Sequence, residues 1–187
     1  MSSPGSVASD ERLRLFLGLQ LPDPVVEALA EWQQRELAGR IVPPANLHVT
    51  LAFLGSRPAH ELEAICAVLG EAAAEVAPPI FELVRYRETR SVGMLELDDP
   101  TGNAGLLARR LHEELAALGV YRPESRTWLP HVTVLRFRER PRLQPSLPEL
   151  EAFAPSGAAA FLSRLHPSGA VYEVLESFPL NRRRSGG

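Results

Sequence analysis

The chain has 187 residues, 45% apolar and 23% charged, which fits one globular unit with a buried core and excludes a disordered chain. A net charge of −3, the absence of any apolar run of membrane-span length and a polar segment 1–12 without a signal-peptide core lead us to expect a cytoplasmic protein that does not grip nucleic acid or membrane broadly. The single cysteine, Cys66, excludes an internal disulfide or a multi-cysteine metal site, and because all 20 basic residues are arginine, lysine–adenylate, Schiff-base and phosphate-loop lysine chemistry are excluded too.

LRLFLGLQL (13–21) alternates, with Leu13, Leu15, Leu17, Leu19 and Leu21 on one face and Arg14, Phe16, Gly18 and Gln20 on the other, which predicts a strand. Asp23 as N-cap and Pro24 as first helical residue open a helix whose stripe is Val25, Val26, Leu29, Trp32 and Leu37. LHVTLAFLG (47–55) alternates again: Leu47, Val49, Leu51 and Phe53 on one face, His48, Thr50 and Ala52 on the other. Leu62, Ile65, Leu69, Ala72 and Val76 predict a helix over 58–76, Pro78–Pro79 stop it, and 80–87 reads as strand. VGMLELD (92–98) is a strand, Leu107, Leu111, Leu115 and Leu118 mark a helix ended by Gly119, and PHVTVLRF (130–137) is a strand. After a proline-rich connection, 158–166 and 170–178 predict a hairpin turning at Pro167–Ser168–Gly169.

Strand, helix, loop and His-x-Thr strand thus occur twice in one order. This predicts a single domain over 11–180 made of two similar halves, about 11–90 and 91–180, with loose tails at 1–10 and 181–187. In a strand, residues i and i+2 share a face roughly 6–7 Å apart. His48 therefore projects with Thr50, and His131 with Thr133. Two imidazoles can exchange protons on either side of a reaction, one activating water and the other protonating a leaving oxygen. Two hydroxyls can donate to phosphate oxygens as charge builds. Five histidines and five threonines in this chain predict about 0.13 His-x-Thr by chance, and two in about 1% of shuffled sequences. The pair is a signal.

HVTLAFLG (48–55) and HVTVLRF (131–137) resemble the paired signatures of the 2H phosphoesterase superfamily, in particular its RNA 2′,3′-cyclic phosphodiesterase branch, historically called 2′-5′ RNA ligase. The resemblance extends to RLFLGLQLP (14–22), NLHVTLAFLG (46–55), the helix before the second motif and SFPL (177–180); Val134 departs from it, standing where leucine is commoner. The resemblance implies an α+β, bilobal fold: two pseudo-symmetric lobes of mainly antiparallel sheet with flanking helices and a groove between them. It implies metal-independent opening of RNA 2′,3′-cyclic phosphate ends to a 2′-phosphomonoester, with no cofactor. Carried onto this chain, His48 becomes the proton donor to the departing 3′ oxygen, His131 the acceptor that activates water, and Thr50 and Thr133 the phosphate ligands. Phe16, by stacking on a base, and Arg136 become substrate contacts, and Arg14, on the same strand face as Phe16, is read from the strand pattern as a further phosphate contact. Strict alternation puts Arg136 opposite His131 unless the strand bulges.

The expected partners are RNA ends or small nucleotides carrying a 2′,3′-cyclic phosphate, with no membrane, no protein partner and a monomeric chain. With few phosphate contacts, RNA binding should be weak and only modestly salt-sensitive. A His–His–Thr–Thr set is a poor cation site, so no metal is expected. His60 and His112 read as solvated, Cys66 as a buried inert thiol, His166 and Tyr172 as structural, and Arg182–Arg183–Arg184 as a solvated tail. The same four groups also suit 2′-5′ joining of RNA ends or hydrolysis of a small cyclic nucleotide, and a non-catalytic RNA-end binder is the alternative outside enzymes.

Overall fold

Alternating segments become strands and 3.6-period stripes become helices, in the order β1 (Arg12–Gln20), α1 (Asp23–Glu36), β2 (Arg40–Ile41), β3 (His48–Pro58), α2 (Leu62–Glu75), β4 (Glu82–Glu88), β5 (Val92–Asp98), α3 (Asn103–Ala117), β6 (His131–Arg136), β7 (Gly157–His166) and β8 (Gly169–Phe178). The computed structural model describes residues 11–180, and both tails, with Arg182–Arg184, lie outside them. Asp23 is the first residue of α1 and not its cap: the amides of Val25 and Val26 bond instead to the Pro22 carbonyl.

The strands form one antiparallel sheet, ordered β4-β5-β6-β3-β1-β7-β8, with β2 also on β6. Between β3 and β6 the ladder is a single pair, Val49 opposite Val132. The sheet therefore has two wings that meet at a narrow seam, and the seam falls inside both His-x-Thr motifs. The wings are not the chain halves 11–90 and 91–180. One wing is β3, β1, β7 and β8; the other is β6, β5 and β4. The helices cross over as well. From α1, Trp32 packs beside Tyr86 of β4 (ring centroids 6.5 Å apart) and Gln33 reaches β6, while α2 lies against β7 and β8, and α3 against β3. Each half of the chain thus builds part of both wings.

The core lies between helices and sheet. Leu15, Leu17 and Leu19, Val49 and Leu51, and Val132 and Val134 meet Leu29, Trp32, Ile65, Leu69, Leu107, Leu111 and Leu115, all essentially buried. Each such leucine contributes about 1.5–3 kcal/mol by leaving water, so the inward face of each motif strand is fixed and the other face is left for chemistry. Among the described residues no helix is long and apolar enough to cross a membrane. Cys66 is buried, and burial, aided by Glu176, pushes its thiol up to about 12, as an inert cysteine requires.

Candidate active site

Val49 and Val132 point into the core, so His48, Thr50, His131 and Thr133 project together from the opposite face of the seam. Antiparallel pairing about the two valines sets His48 across from Thr133 and Thr50 across from His131. Each histidine is anchored in the same way: Nδ1 lies 2.7 Å from the Asn46 carbonyl in His48 and 2.9 Å from the Leu129 carbonyl in His131, each two residues upstream. A carbonyl only accepts, so Nδ1 carries the proton in both and Nε2 is left for exchange. Thr50 Oγ1 lies 2.9 Å from His48 Nε2 and donates to it, whereas His131 Nε2 has no hydrogen-bond partner among the described residues.

Both motif strands bulge just after the threonine. Gly18 of β1 faces Thr50 and Leu17 faces Ala52, so Leu51 is an extra residue in β3. Met94 of β5 faces Thr133 and Gly93 faces Leu135, so Val134 is an extra residue in β6. An extra residue shifts the alternation by one. Phe53 therefore swings onto the site face, and so does Arg136. Phe53 is 63% exposed there, a correction to strict alternation, which put it in the core with Leu47 and Leu51.

At both bulges, backbone carbonyls accept from side chains of the opposite half of the chain. His112 Nε2 of α3 lies 2.7 Å from the Leu51 carbonyl, and Trp128 Nε1 donates to the Thr50 carbonyl at 3.0 Å. Gln33 Nε2 of α1 donates to the Val134 carbonyl at 2.8 Å and to the Val42 carbonyl at 3.1 Å. His112 is thus not a solvated surface residue: it stacks on Tyr121 (ring centroids 4.8 Å) and holds the first bulge. Gln33 was legible as a polar residue four places after Leu29 on an apolar stripe, and Gly18 as a glycine in a leucine strand. A Cβ at Gly18 would stand 2.9 Å from the Val49 carbonyl and 3.3 Å from the His48 ring, so glycine lets that ring settle.

The two histidines differ in surroundings. Phe16, Phe161 and Tyr172 wall His48, with ring centroids 4.8, 5.6 and 5.5 Å from it. Burial above all, then the charges of His131 and Arg136, push the His48 imidazole down to about 4 against its bond to Asn46, so in the free protein it is neutral at pH 7. His131 opens instead on a cleft of about 510 Å³ that Thr50, Phe53, Arg87, Met94, Arg126 and Trp128 also line, a volume suited to a nucleotide. Among the described residues no three His, Cys, Asp or Glu side chains gather as metal ligands.

Comparison with known proteins identifies the family. Residues 21–164 match the 2′-5′ RNA ligase superfamily. The chain belongs to that family. It is similar to the RNA 2′,3′-cyclic phosphodiesterase of Thermus thermophilus, 33% identical over 90% of each chain, and to that of Escherichia coli, 31% identical over 67% of this chain and 73% of the relative. The crystal structure of TT0787 of Thermus thermophilus superposes with a TM-score of 0.76 at 31% identity, over 90% of this chain and 98% of that one. The fold is accordingly the family's α+β arrangement of two sheet wings and flanking helices.

Of the residues that the family resemblance singles out, the seam gathers His48, Thr50, His131, Thr133 and, through the second bulge, Arg136. Arg136 Nη2 reaches Tyr172 Oη at 3.5 Å, which brings Tyr172 to the site edge as well. Phe16, expected to stack on a base, is covered by other side chains. It is 2% exposed and lies flat against Phe161, with ring centroids 4.8 Å and planes 5° apart, forming the wall behind His48. Arg14 shares its face of β1 but stands four residues, about 13 Å, along the strand from the Gly18–Thr50 pair.

Proposed function

We propose that this protein hydrolyses the 2′,3′-cyclic phosphate at RNA ends to a 2′-phosphomonoester without a metal ion. The observation that carries the reading is the pair of anchored imidazoles facing one another's threonine across the seam. In this reading His131 Nε2 takes a proton from water, the water oxygen attacks phosphorus, the P–O3′ bond breaks, and His48 Nε2 returns a proton to O3′. Thr50, Thr133 and Arg136 hold the non-bridging oxygens as negative charge grows on them. Phe53, exposed at the cleft rim, takes over the base contact for which Phe16 is too deeply buried.

As the donor, His48 must first gain a proton that its surroundings disfavour. The bound phosphodiester carries a negative charge beside it and offsets the push from His131 and Arg136, so the proton arrives with the substrate. Two histidines and two hydroxyls supply both proton transfers and the phosphate contacts, which is why no metal is invoked.

The test is incubation of an oligoribonucleotide bearing a 2′,3′-cyclic phosphate with the protein in excess chelator, followed by product identification. A 2′-phosphate end is the expected product. Loss of activity in chelator with recovery on adding a divalent ion overturns the mechanism, and a joined 2′-5′ product in place of hydrolysis overturns the assignment of water as acceptor.

A further inference from the structure

β4 is the last strand of its wing, and beside its outer edge lies a second depression, lined by Arg85, Arg87, Arg140 and Arg142 around Tyr86 and Glu88. Arg85, Arg87 and Arg140 are held in place by carboxylates. Glu96 of β5, itself buried, accepts from Arg85 Nε at 2.5 Å and from Arg87 Nη1 at 2.6 Å. Glu88, also buried, accepts from Arg140 Nε at 3.2 Å and from the amides of Arg142 and Leu143 at 2.9 and 2.8 Å, which fastens this segment along the strand edge. Four guanidinium groups thus stand against two carboxylates, both already engaged, and the Arg142 side chain has no carboxylate partner among the described residues. On a chain whose net charge is −3 this is a local positive excess.

The depression borders the active-site cleft, with Arg87 lining both. The register gives the path. Thr133 faces Met94 and Met94 faces Arg87; His131 faces Glu96 and Glu96 faces Arg85. Two strand spacings, about 10 Å, separate the motif from the arginine row. A ligand with one phosphate at the seam therefore meets fixed, exposed guanidinium groups a short distance along the same surface.

We propose that the β4-edge depression binds the backbone phosphates of an RNA strand immediately upstream of its cyclic end, and so makes this protein prefer oligonucleotides to mononucleotides. The inference rests on the functional reading above and names the form of its substrate. An RNA strand fits better than an acidic peptide because the row stands only two strands from the phosphate site and offers guanidinium forks in succession, as a repeating phosphate chain requires.

The experiment compares kcat/KM for a 2′,3′-cyclic mononucleotide and for a pentaribonucleotide ending in the same nucleotide. The wild-type protein, Arg142→Glu and the double variant Arg140→Gln/Arg142→Glu are each checked by thermal melt. In wild type the pentamer is favoured by about tenfold or more at low salt, through KM. That advantage falls with salt at a log–log slope of about −0.7 per phosphate neutralised. Both variants bring the pentamer to within about threefold of the mononucleotide and leave mononucleotide hydrolysis unchanged. Arg142→Glu alone suffices if the double variant does not fold, because the Arg142 side chain makes no hydrogen bond or ion pair among the described residues. An equal pentamer-to-mononucleotide ratio in folded variant and wild type, or a wild-type ratio near one, overturns the inference while the functional reading stands. Hydrolysis of neither substrate by wild type overturns the functional reading and the inference with it.

Discussion

The strands β3 and β6 carry the same motif, the same histidine anchor and the same bulge, yet they make unlike halves of one site. On β3 the bulge delivers Phe53, and His48 sits behind a wall of Phe16, Phe161 and Tyr172 that drives its imidazole down to about 4. On β6 the bulge delivers Arg136, and His131 stands in the open cleft with Arg87 and Met94. Duplication of a strand supplies two identical donor sets; the neighbours decide which imidazole is kept neutral behind an aromatic wall and which stands in the open cleft. Each bulge is also held by side chains from the opposite half of the chain, His112 and Trp128 at β3 and Gln33 at β6, so neither half is complete alone.

The severest way to break the comparison is to remove a motif histidine. His48→Ala and His131→Ala should each lower kcat by about 10²–10⁴-fold while thermal melts stay near wild type, because neither ring is part of the leucine–valine core. The double variant should be little worse than the poorer single one, since both groups serve one displacement. If either variant unfolds, that histidine is structural. Next come Thr50→Ala and Thr133→Ala, each expected to cost about 10²-fold in single-turnover rate, near the scale of one lost phosphate donor. Equal losses would mean the two threonines hold equivalent oxygens; a full-rate Thr50→Ala would leave its hydroxyl with only the His48 bond as its role.

The supports of the bulges should matter less and unequally. His112→Ala leaves the Leu51 carbonyl without its side-chain donor and should cost about 1–3 kcal/mol of stability, with kcat lowered on the order of tenfold as Thr50 shifts. Gln33→Leu should be milder for kcat, because the Val134 carbonyl keeps the Val42 amide at 3.0 Å. Urea melts and kcat measured on the same samples check both, and a larger kcat loss in Gln33→Leu would reverse the ranking.

Acidity sharpens the comparison further. The kcat/KM profile should be bell-shaped with one limb near 4, set by free His48, and that limb should move up in kcat when phosphate is bound. Arg136→Gln should raise the His48 imidazole, read by NMR titration, because a positive neighbour is removed; no movement would place Arg136 outside the site. The smallest effect is on stability. His48 is depressed in the folded state, so between its ordinary value near 6.5 and about 4 the unfolded chain binds the extra proton, and stability is lost as pH falls through that window. Burial pushes Glu88 and Glu96 up, but their hydrogen bonds outweigh it and hold both below the usual carboxylate range, so their contribution is lost at still lower pH. A Tm that rises as pH falls from 6.5 would contradict the His48 assignment.

By itself the sequence determined the strands, the helices, the hairpin and the four groups at the seam. Each rests on local periodicity, and burying a leucine or valine face leaves a His-x-Thr pair only one other face to occupy. Only the tertiary structure decided the rest. Alternation misplaced Phe53 and left Arg136 undecided because a bulge is a matter of register between strands, and register depends on the partner strand as well as on the strand's own sequence. Phe16 and Arg14 share a strand face with Gly18, yet Phe161 and Tyr172, far along the chain, cover the first and distance removes the second. The halves 11–90 and 91–180 recur in order, but their strands and helices are exchanged between the wings, since hydrogen-bonding edges and apolar faces pair wherever the fold brings them together.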